Sequence, residues 1–503
     1  MPEPLFNWLT TRGAGALLHP TSLPGSTGIG TLGGQARRFV DFLANHGLKY
    51  WQVCPLGPTG YGDSPYQCFS AFAGNPYLID LDELVAAGTL RPKDLDPLRG
   101  LPADSVDYGA QWERRWIILR RAFRRFAERG ADHEQQAFYQ FQKSNEAWLR
   151  PFALFMAIKN RFGGVSWQRW PPDYQHYHQF AKHGIDLDLL DEALAHAYYQ
   201  FLFSRQWRAL KQYANSRQVQ IFGDIPIFVA MDSADVWTNP ELFQMGEDLK
   251  PAGVAGVPPD YFAADGQLWG NPLYAWIEHE KQGYQWWLER LGASFELYDV
   301  IRIDHFRGFD EYCWIPPDAT NARNYQWHPG PGLRFFKAVQ KRFPKAKLVA
   351  EDLGVITDSV RKLMRKAGLP GMKVLHFAFE GATEYLPHNT IPTSVLYPGT
   401  HDNDTTNGWF AKQPDRVKQF LRDYLCTSAE NPAWDFIRAG FASSSRIFVA
   451  PMQDLLSLGS EARMNIPGTP SGNWRWRYTD EQLEELERTK GGELRHLAGL
   501  YER

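Results

Sequence analysis

Two carboxylates, Asp304 and Glu351, each close a short apolar run. Within 300–304 (VIRID), a period of two places Arg302 and Asp304 on one face of a strand. An arginine beside an aspartate in a low-dielectric site favours the ionised carboxylate, which is the state that a glycosidic nucleophile needs. The run 347–351 (KLVAE) ends in Glu351, and a carboxylate facing it raises its pKa so that it can hold a proton. The two residues therefore predict retaining chemistry at a sugar, with Asp304 ionised and Glu351 as the proton carrier.

Further acids follow other apolar runs. Asp224 lies near the end of the run 219–225, Asp352 ends the run 347–352, and Asp402 and Asp404 follow the run 394–397. A salt bridge or a helix cap is an alternative explanation for Asp224, Asp352 and Asp404 taken singly. Buried charge is costly unless it is paired, and strand ends of one barrel converge on a single cleft. A shared active-site cleft is therefore the interpretation we favour.

Metal and nucleotide sites are the competing interpretations. His305 and His401 could supply metal ligands beside these acids, but the sequence has no HxH or HExxH spacing. There is no GxxxxGK[ST] motif, and the segment 28–30 (GIG) lacks the continuation of a dinucleotide fingerprint. We therefore expect neither a metal nor a cofactor.

The elements that position these acids have the pattern of a (β/α)8 TIM barrel. Eight short, nearly continuous apolar runs are followed in several cases by amphipathic helical patterns, as buried parallel strands require. They lie at 15–19, 51–55, 219–225, 299–304, 347–352, 372–377, 394–397 and 446–451. The longest intervals, 56–218 and 230–298, predict large, mostly helical insertions around the C-terminal mouth of the barrel. We thus expect a single catalytic domain over 1–503.

Composition limits the class of protein. A net charge of -3 over 503 residues gives no basic excess for nucleic acid. The four scattered cysteines, Cys54, Cys68, Cys313 and Cys426, form no CxxC pair, which favours a reducing compartment. No signal peptide or membrane span is visible. We expect a cytoplasmic protein that is a monomer or a weak homo-oligomer and has no nucleic-acid or membrane partner.

The sequence resembles the amylomaltases, also called disproportionating enzymes or 4-α-glucanotransferases, which are relatives of the α-amylases. The resemblance covers nearly the whole chain in order, and its blocks together are highly specific. They are LLHPTSLP (17–24), WQVCPLGP (51–58), SPY (64–66), GNP (74–76), GVPPDYF (256–262), GQLWGNP (266–272), RIDHFRG (302–308), AEDLG (350–354), GTHDND (399–404) and MNIPGT (464–469).

The resemblance implies a role for each of the three acids. Asp304 would be the nucleophile, Glu351 the general acid/base, and Asp402 the acid that stabilises the distorted, positively charged sugar. Arg302 and His401 would support them. It also implies a barrel that lacks the C-terminal β-sandwich of the amylases.

Further residues of these blocks are expected to contact an α-1,4-glucan. We assign the segment 256–262 to a cover over the cleft. Tyr61 and Trp269 are predicted as platforms for sugar rings, although loop-anchoring core is the alternative for both. Asn271 and Asn403 are predicted partners of sugar hydroxyls, and the predicted substrate-binding residues also include Ser64, Asp224 and Asp260.

The activity implied is transfer of an α-1,4-glucan segment from a donor to the 4-hydroxyl of an acceptor by double displacement. An α-glucan hydrolase with the same carboxylates is one alternative, and a catalytically silent glucan-binding protein is another. The carboxylates alone do not separate transfer from hydrolysis.

Overall fold

The computed structural model describes residues 3–60, 62–182, 185–259 and 265–503. The described residues contain four strands that the sequence did not predict. Two come directly before the fourth barrel strand and two directly after it. In chain order the strands are β1 (Gly13–Leu17), β2 (Tyr50–Gln52), β3 (Gln220–Pro226), β4 (Val254–Val257), β5 (Gln267–Pro272), β6 (Val300–Asp304), β7 (Glu311–Trp314), β8 (Gln326–Pro329), β9 (Leu348–Ala350), β10 (Gly371–Val374), β11 (Ser394–Tyr397) and β12 (Ile447–Pro451).

Eight of these strands form one parallel sheet in the order β10-β11-β12-β1-β2-β3-β6-β9. The two ends of the sheet approach each other, since the backbone N–H of Ala350 donates to the carbonyl of Pro370 at 2.8 Å. The predicted TIM barrel is therefore confirmed, and each of the eight predicted runs overlaps a barrel strand. The strand predicted at 372–377 ends at Val374, because a helix begins at Leu375.

Helices cover the outside of the barrel and fill the long intervals between strands. They are α1 (Gly34–Asn45), α2 (Leu81–Ala86), α3 (Tyr108–Arg129), α4 (Asp132–Ser144), α5 (Glu146–Arg161), α6 (Pro172–Gln175), α7 (Tyr177–Phe180), α8 (Leu187–Ser216), α9 (Ala234–Thr238), α10 (Trp276–Lys281), α11 (Gln285–Leu297), α12 (Gly332–Arg342), α13 (Asp358–Ala367), α14 (Leu375–Glu380), α15 (Thr406–Lys412), α16 (Asp415–Leu425), α17 (Pro432–Ala442), α18 (Met452–Leu455) and α19 (Asp480–Leu500).

The two long intervals differ in content. Between β2 and β3 the described residues form helices α2 to α8, as the helical pattern predicted. Between β3 and β6 the antiparallel hairpin β4–β5 accompanies α9, α10 and α11. The treatment of 56–218 and 230–298 as insertion units of one domain stays a prediction. After β12 the described chain continues in α18 and α19.

Local sequence explains where individual helices begin and end. In α13, Val360, Leu363, Met364 and Ala367 are buried, and this spacing of three or four residues marks one helical face. The Thr357 side chain accepts from the backbone of this first turn, and Gly368 ends the helix with a φ of 75°. No helix in the described residues is both long and apolar enough to cross a membrane.

The barrel interior changes from apolar to polar towards the mouth. Phe222, Val300 and Val349 are fully buried inside the barrel. Because side chains alternate along a strand, Val300, Arg302 and Asp304 all face the interior in successive layers. The charged residues thus stand on an apolar floor at the carboxyl ends of the strands, where barrels carry their active sites.

Candidate active site

Arg302 links two carboxylates at the ends of neighbouring strands. Its Nη2 lies 2.8 Å from Asp304 Oδ1, and its Nη1 donates to Asp224 Oδ2 at 2.6 Å. Arg302 and Asp224 stand opposite each other in the β3–β6 register. Burial alone would lower the pKa of Arg302, but the carboxylates of Asp224 and Asp304 raise it well above its ordinary value. The guanidinium therefore stays charged and fixes Asp304, whose side chain is 28% exposed to the cleft.

Glu351 is held beside Asp304 by backbone donors. The N–H of His305, the residue after Asp304, donates to Glu351 Oε2 at 2.7 Å, and the N–H of Leu353 donates to Oε1 at 2.7 Å. His305 adopts a left-handed φ of 50°, which is uncommon for a residue other than glycine and turns its N–H away from the strand ladder. The segment following β6 is thus shaped around the Glu351 carboxylate.

The electrostatic surroundings of Glu351 suit a proton carrier. Burial, followed by the negative charge of Asp304, raises the pKa of Glu351 to about 7. Arg302 and the two backbone donors oppose this rise in pKa. The predicted rise in the pKa of Glu351 agrees with this result, although burial contributes more than the facing carboxylate.

Asp402, in the loop after β11, is held by two side chains. Asn465 Nδ2 donates to Asp402 Oδ1 at 2.7 Å, and His401 Nε2 lies 3.4 Å from the same oxygen. Burial raises the pKa of Asp402, but His401, Asn465 and Arg302 outweigh it and lower that pKa to about 2. Burial lowers the pKa of His401, but the charge of Asp402 and a hydrogen bond to it raise that pKa above its ordinary value. Asp402 is therefore a carboxylate at neutral pH.

The loop that carries Asp402 is tied down by Arg463. Arg463 Nη2 donates to the carbonyl of Asp402 at 2.6 Å, and its Nε donates to the carbonyl of Asn465 at 2.8 Å. Asn403 braces the same turn, because its Oδ1 accepts from the backbone N–H of Thr400 at 2.8 Å and from its hydroxyl at 2.9 Å. Only the amide nitrogen of Asn403 is thus left for a sugar hydroxyl, and this contact stays a prediction.

Tyr66 joins the strand ends into one network. Its hydroxyl donates to Asp224 Oδ2 at 2.6 Å, and its ring stacks on His401 with centroids 5.0 Å apart and 20° between the planes. Ser64 shapes this turn, since its hydroxyl accepts from the Tyr66 N–H at 3.2 Å. Asp224 is only 1% exposed, and its contacts with Arg302 and Tyr66 support a bracing role in place of the predicted direct contact with substrate.

Trp269 and Asn271 lie on β5. Trp269 is partly exposed and packs edge-to-face against His305 with centroids 4.8 Å apart. Its Nε1 donates to Gln267 Oε1 at 3.2 Å. Asn271 is buried and uses both ends of its amide, accepting from Gln67 at 3.3 Å and donating to the carbonyl of Val229 at 2.8 Å. This arrangement supports a loop-anchoring role for Asn271, whereas Trp269 remains available to a ligand.

Some predicted site residues lie outside the described part of the chain. Tyr61 and Asp260 are outside it, as are residues 260–262 of the predicted cover. Within the described ranges, no group of three or more His, Cys, Asp or Glu is placed to hold a metal ion.

Sequence reasoning missed the roles of Tyr66, Asn465 and Arg463. Tyr66 stood in the quoted block at 64–66 and Asn465 in that at 464–469, so their blocks were a usable signal. Arg463 lies outside every block. Its contact with Asp402 joins residues 61 positions apart in the chain, which no local pattern indicates.

Comparison with known proteins agrees with this geometry. The sequence profile of glycoside hydrolase family 77, described as 4-alpha-glucanotransferase, matches residues 18–483. A 4-alpha-glucanotransferase of Thermus thermophilus is 48% identical, with 98% of this chain and 99% of that protein covered. One from Synechocystis is 45% identical at the same coverage.

Solved structures show the same similarity. The amylomaltase of Streptococcus agalactiae, solved in complex with acarbose, is 38% identical and superposes with a TM-score of 0.94 over 98% of this chain and 99% of that one. The amylomaltase of Corynebacterium glutamicum shares the fold at 17% identity, with a TM-score of 0.76 over 97% of this chain and 75% of that one. The resemblance seen in the sequence is confirmed, and the chain belongs to the 4-alpha-glucanotransferase family.

Proposed function

We propose that this chain transfers α-1,4-glucan segments between glucans by double displacement, with Asp304, Glu351 and Asp402 as its working acids. The observation that carries the assignment is the hydrogen bond from the His305 N–H to Glu351 Oε2 at 2.7 Å. It holds a carboxyl with a raised pKa next to a carboxylate that is paired with Arg302. One group that keeps a proton and one that is fixed as an anion are what a retaining mechanism requires.

In the first step Asp304 attacks the anomeric carbon of the donor. The bond from that carbon to the departing glycosidic oxygen breaks, and Glu351 delivers its proton to this oxygen. The products are a β-linked glucosyl ester on Asp304 and a shortened glucan with a free 4-hydroxyl. Asp402 stabilises the positive charge that develops on the sugar ring in the transition state.

In the second step Glu351, now a carboxylate, removes the proton of an acceptor 4-hydroxyl. The acceptor oxygen attacks the anomeric carbon, the ester bond to Asp304 breaks, and the α linkage is restored. The ester retains the donor bond energy, so no cofactor is required. Binding of the acceptor's remote rings favours sugar over water at this step.

The neighbouring residues position these groups. Arg302 orients Asp304, Asp224 pairs with Arg302, and Tyr66 donates to Asp224. Trp269, partly exposed at the rim, is the proposed sugar platform. Tyr61 and Asp260 are proposed to contact the glucan as well, on the basis of the family resemblance alone.

Incubation with maltotriose tests the proposed reaction. A transferase produces glucose and a ladder of longer glucans with little rise in total reducing ends. A hydrolase raises the reducing ends and produces no ladder, and a silent binding protein leaves the sugar unaltered. Either of these results would overturn the proposal.

The residue assignment is tested with Asp304→Ala. Loss of the nucleophile should remove nearly all turnover while maltoheptaose still binds. The matched control is Asp358→Ala, an exposed aspartate at the start of α13, which should retain full activity. Substantial residual turnover in Asp304→Ala would show that another carboxylate is the nucleophile.

We also propose a cytoplasmic location and a monomer or weak homo-oligomer. The four cysteines are unpaired in the structure, which supports a reducing compartment. Size-exclusion chromatography with light scattering tests the oligomeric state, and a stable tetramer would contradict it.

A further inference from the structure

The segments that follow β6 and β9 are joined by three consecutive residues. The backbone N–H of His305 donates to Glu351 Oε2 at 2.7 Å, and the N–H of Phe306 donates to the Glu351 carbonyl at 3.1 Å. The next residue, Arg307, reaches further along the second segment, since its Nη1 donates to the carbonyl of Val355. The residues after the nucleophile's strand therefore hold the segment that begins with Glu351.

The guanidinium of Arg307 is fixed by an aromatic ring. Its central carbon lies 3.8 Å from the centroid of the Trp327 ring on β8, a distance at which a cation is attracted to the face of an indole. Arg307 is 9% exposed, and burial lowers its pKa while Glu311 and Asp310 oppose this fall. No carboxylate in the described part of the chain forms an ion pair with it, and its side-chain hydrogen bond goes to the Val355 carbonyl. A buried cation with this single polar contact is suited to holding the loop that supplies the carbonyl.

The loop between Glu351 and α13 depends on this contact. Gly354 has a φ of 81°, in the left-handed region that glycine adopts readily, and Val355 is 67% exposed. Apart from the bond from Arg307, the backbone of 354–356 has no hydrogen bond to another residue within the described ranges. Arg307 is therefore the polar anchor of this part of the loop.

Leu353 connects the anchored loop to the acid. Its N–H donates to Glu351 Oε1 at 2.7 Å, and it lies two residues before Val355. This hydrogen bond favours the carboxylate form of Glu351 and opposes the rise in its pKa. If the Val355 carbonyl is released, the Leu353 N–H is held less firmly, and Glu351 should keep its proton to a higher pH.

Other charged or titratable groups also face Glu351. Asp304 and Arg302 face it from β6, where the first raises its pKa and the second lowers it. The phenol of Tyr385 faces it from the segment after α14. None of the three forms a hydrogen bond or an ion pair with Arg307. A change at Arg307 thus reaches Glu351 either through the loop or through the loss of a charge, and the test must separate these two routes.

We propose that Arg307 is a positioning residue for the general acid/base. It lies on the segment that follows the nucleophile's strand, and it holds the Val355 carbonyl so that the Leu353 N–H stays on Glu351. This inference rests on the proposed roles of Asp304 and Glu351. One short segment would then fix both working carboxylates with respect to each other.

The test measures the Glu351 pKa by carbon-13 titration of the full chain, and the exchange of the Leu353 amide hydrogen with deuterium. In Arg307→Met the Glu351 midpoint should rise from about 7 by about one pH unit, as expected when a carboxylate loses one hydrogen bond, and the Leu353 amide should exchange about tenfold faster. Trp327→Leu keeps the charge of Arg307 but removes the ring that fixes it, and should produce smaller changes in the same direction. Arg323→Ala removes an exposed arginine from the connection between β7 and β8 and should change neither quantity.

Kinetics with maltotriose provide a second measurement. In Arg307→Met, kcat at pH 7 should fall about tenfold, because a Glu351 that keeps its proton is a poor base towards the acceptor. KM should stay within about twofold of the parent, since Arg307 is buried and its proposed role is exerted on Glu351.

An unchanged Glu351 midpoint in folded Arg307→Met would overturn the positioning role. A rise in Arg307→Met with none in Trp327→Leu would also overturn it, because the effect would then be the loss of a charge. If Arg307→Met does not fold, Arg307→Lys keeps the charge, loses the planar stack and replaces it, with the same rise expected. Absence of maltotriose disproportionation in the parent would instead overturn the proposed function, and the carbon-13 midpoints would still decide on Arg307.

Discussion

Asp304→Asn should lower the pKa of Glu351, because this substitution removes a negative charge and almost preserves the side-chain shape. Burial and then the Asp304 charge raise that pKa from 4.5 to about 7. Two carboxylates about 5 Å apart, the spacing typical of retaining enzymes, repel each other by about 3 kcal/mol at an effective dielectric constant of about 20. That energy is equivalent to about two pH units. Arg302 neutralises part of the Asp304 charge, so we expect the pKa of Glu351 to fall by about one pH unit.

The direct assay is a carbon-13 titration of protein labelled at the glutamate carboxyl. The Glu351 resonance is identified by its absence in Glu351→Gln. Glu278→Gln, which removes an exposed carboxylate paired with Lys281, is the control and should leave the Glu351 midpoint in place. An unchanged midpoint in Asp304→Asn would refute the claim that the Asp304 charge helps Glu351 to keep its proton.

The same change in charge occurs during the proposed reaction. When Asp304 becomes a glucosyl ester, its negative charge disappears, and the pKa of Glu351 should fall as it does in Asp304→Asn. A lower pKa favours the carboxylate form of Glu351, which is the form needed to activate the acceptor. Asp304→Asn therefore imitates the electrostatic state of the intermediate, and the measured fall in pKa reports how far Glu351 is prepared for its second role.

Three further outcomes follow from the site. Initial rates of glucose release from maltotriose should decline as the pH rises through about 7, because Glu351 has a raised pKa and loses its proton there; a rate that stays level to high pH would contradict its role as the acid. Asn465→Leu removes a donor to Asp402, so the pKa of Asp402 should rise. Because a hydrogen bond to a charged group contributes about 1.5–3 kcal/mol, kcat/KM should fall about tenfold to a hundredfold. An unchanged kcat/KM would contradict this. Arg302→Leu leaves Asp224 buried without its cation. The free energy of unfolding, measured by urea titration, should fall by about 3–5 kcal/mol. Adding Asp224→Asn to this variant should recover part of that loss.

The sequence predicted the barrel well because buried parallel strands have a simple pattern. Runs such as 394–397 (SVLY) are apolar on both faces, because one face packs in the barrel and the other against helices. The acids at the strand ends were recognisable for the same reason, since a charge at the end of a buried run requires an explanation. Asp304 and Glu351 are therefore recognisable from the sequence alone.

The supporting residues were less predictable, because their roles depend on burial and on contacts between distant segments. Asp224 and Asn271 were both assigned to substrate, yet one is 1% and the other 5% exposed. The residues around Asp224 in the sequence do not show that Arg302 donates to it. Those around Asn271 do not show that it donates to the loop carbonyl of Val229. Asn465 illustrates the converse case, since it lies in the block at 464–469 but was not assigned to the site, and only the fold brings it to Asp402.

The sum of charges in the cleft explains why these supports matter. Asp304, Asp402 and Asp224 supply three carboxylates, against which stand the guanidinium of Arg302 and the imidazolium that Asp402 stabilises on His401. Bond breaking brings a positive charge onto the sugar ring while the proton of Glu351 passes to the departing oxygen, so the total charge is unchanged and the carboxylates of Asp304 and Asp402 stabilise the charge on the ring. Because the charges are fixed in place beforehand, this stabilisation requires little reorganisation as the reaction proceeds.

The same balance of charges explains why Arg302 is buried between Asp224 and Asp304. Without it, three carboxylates would lie close together without a cation between them, and buried charge is costly unless it is paired.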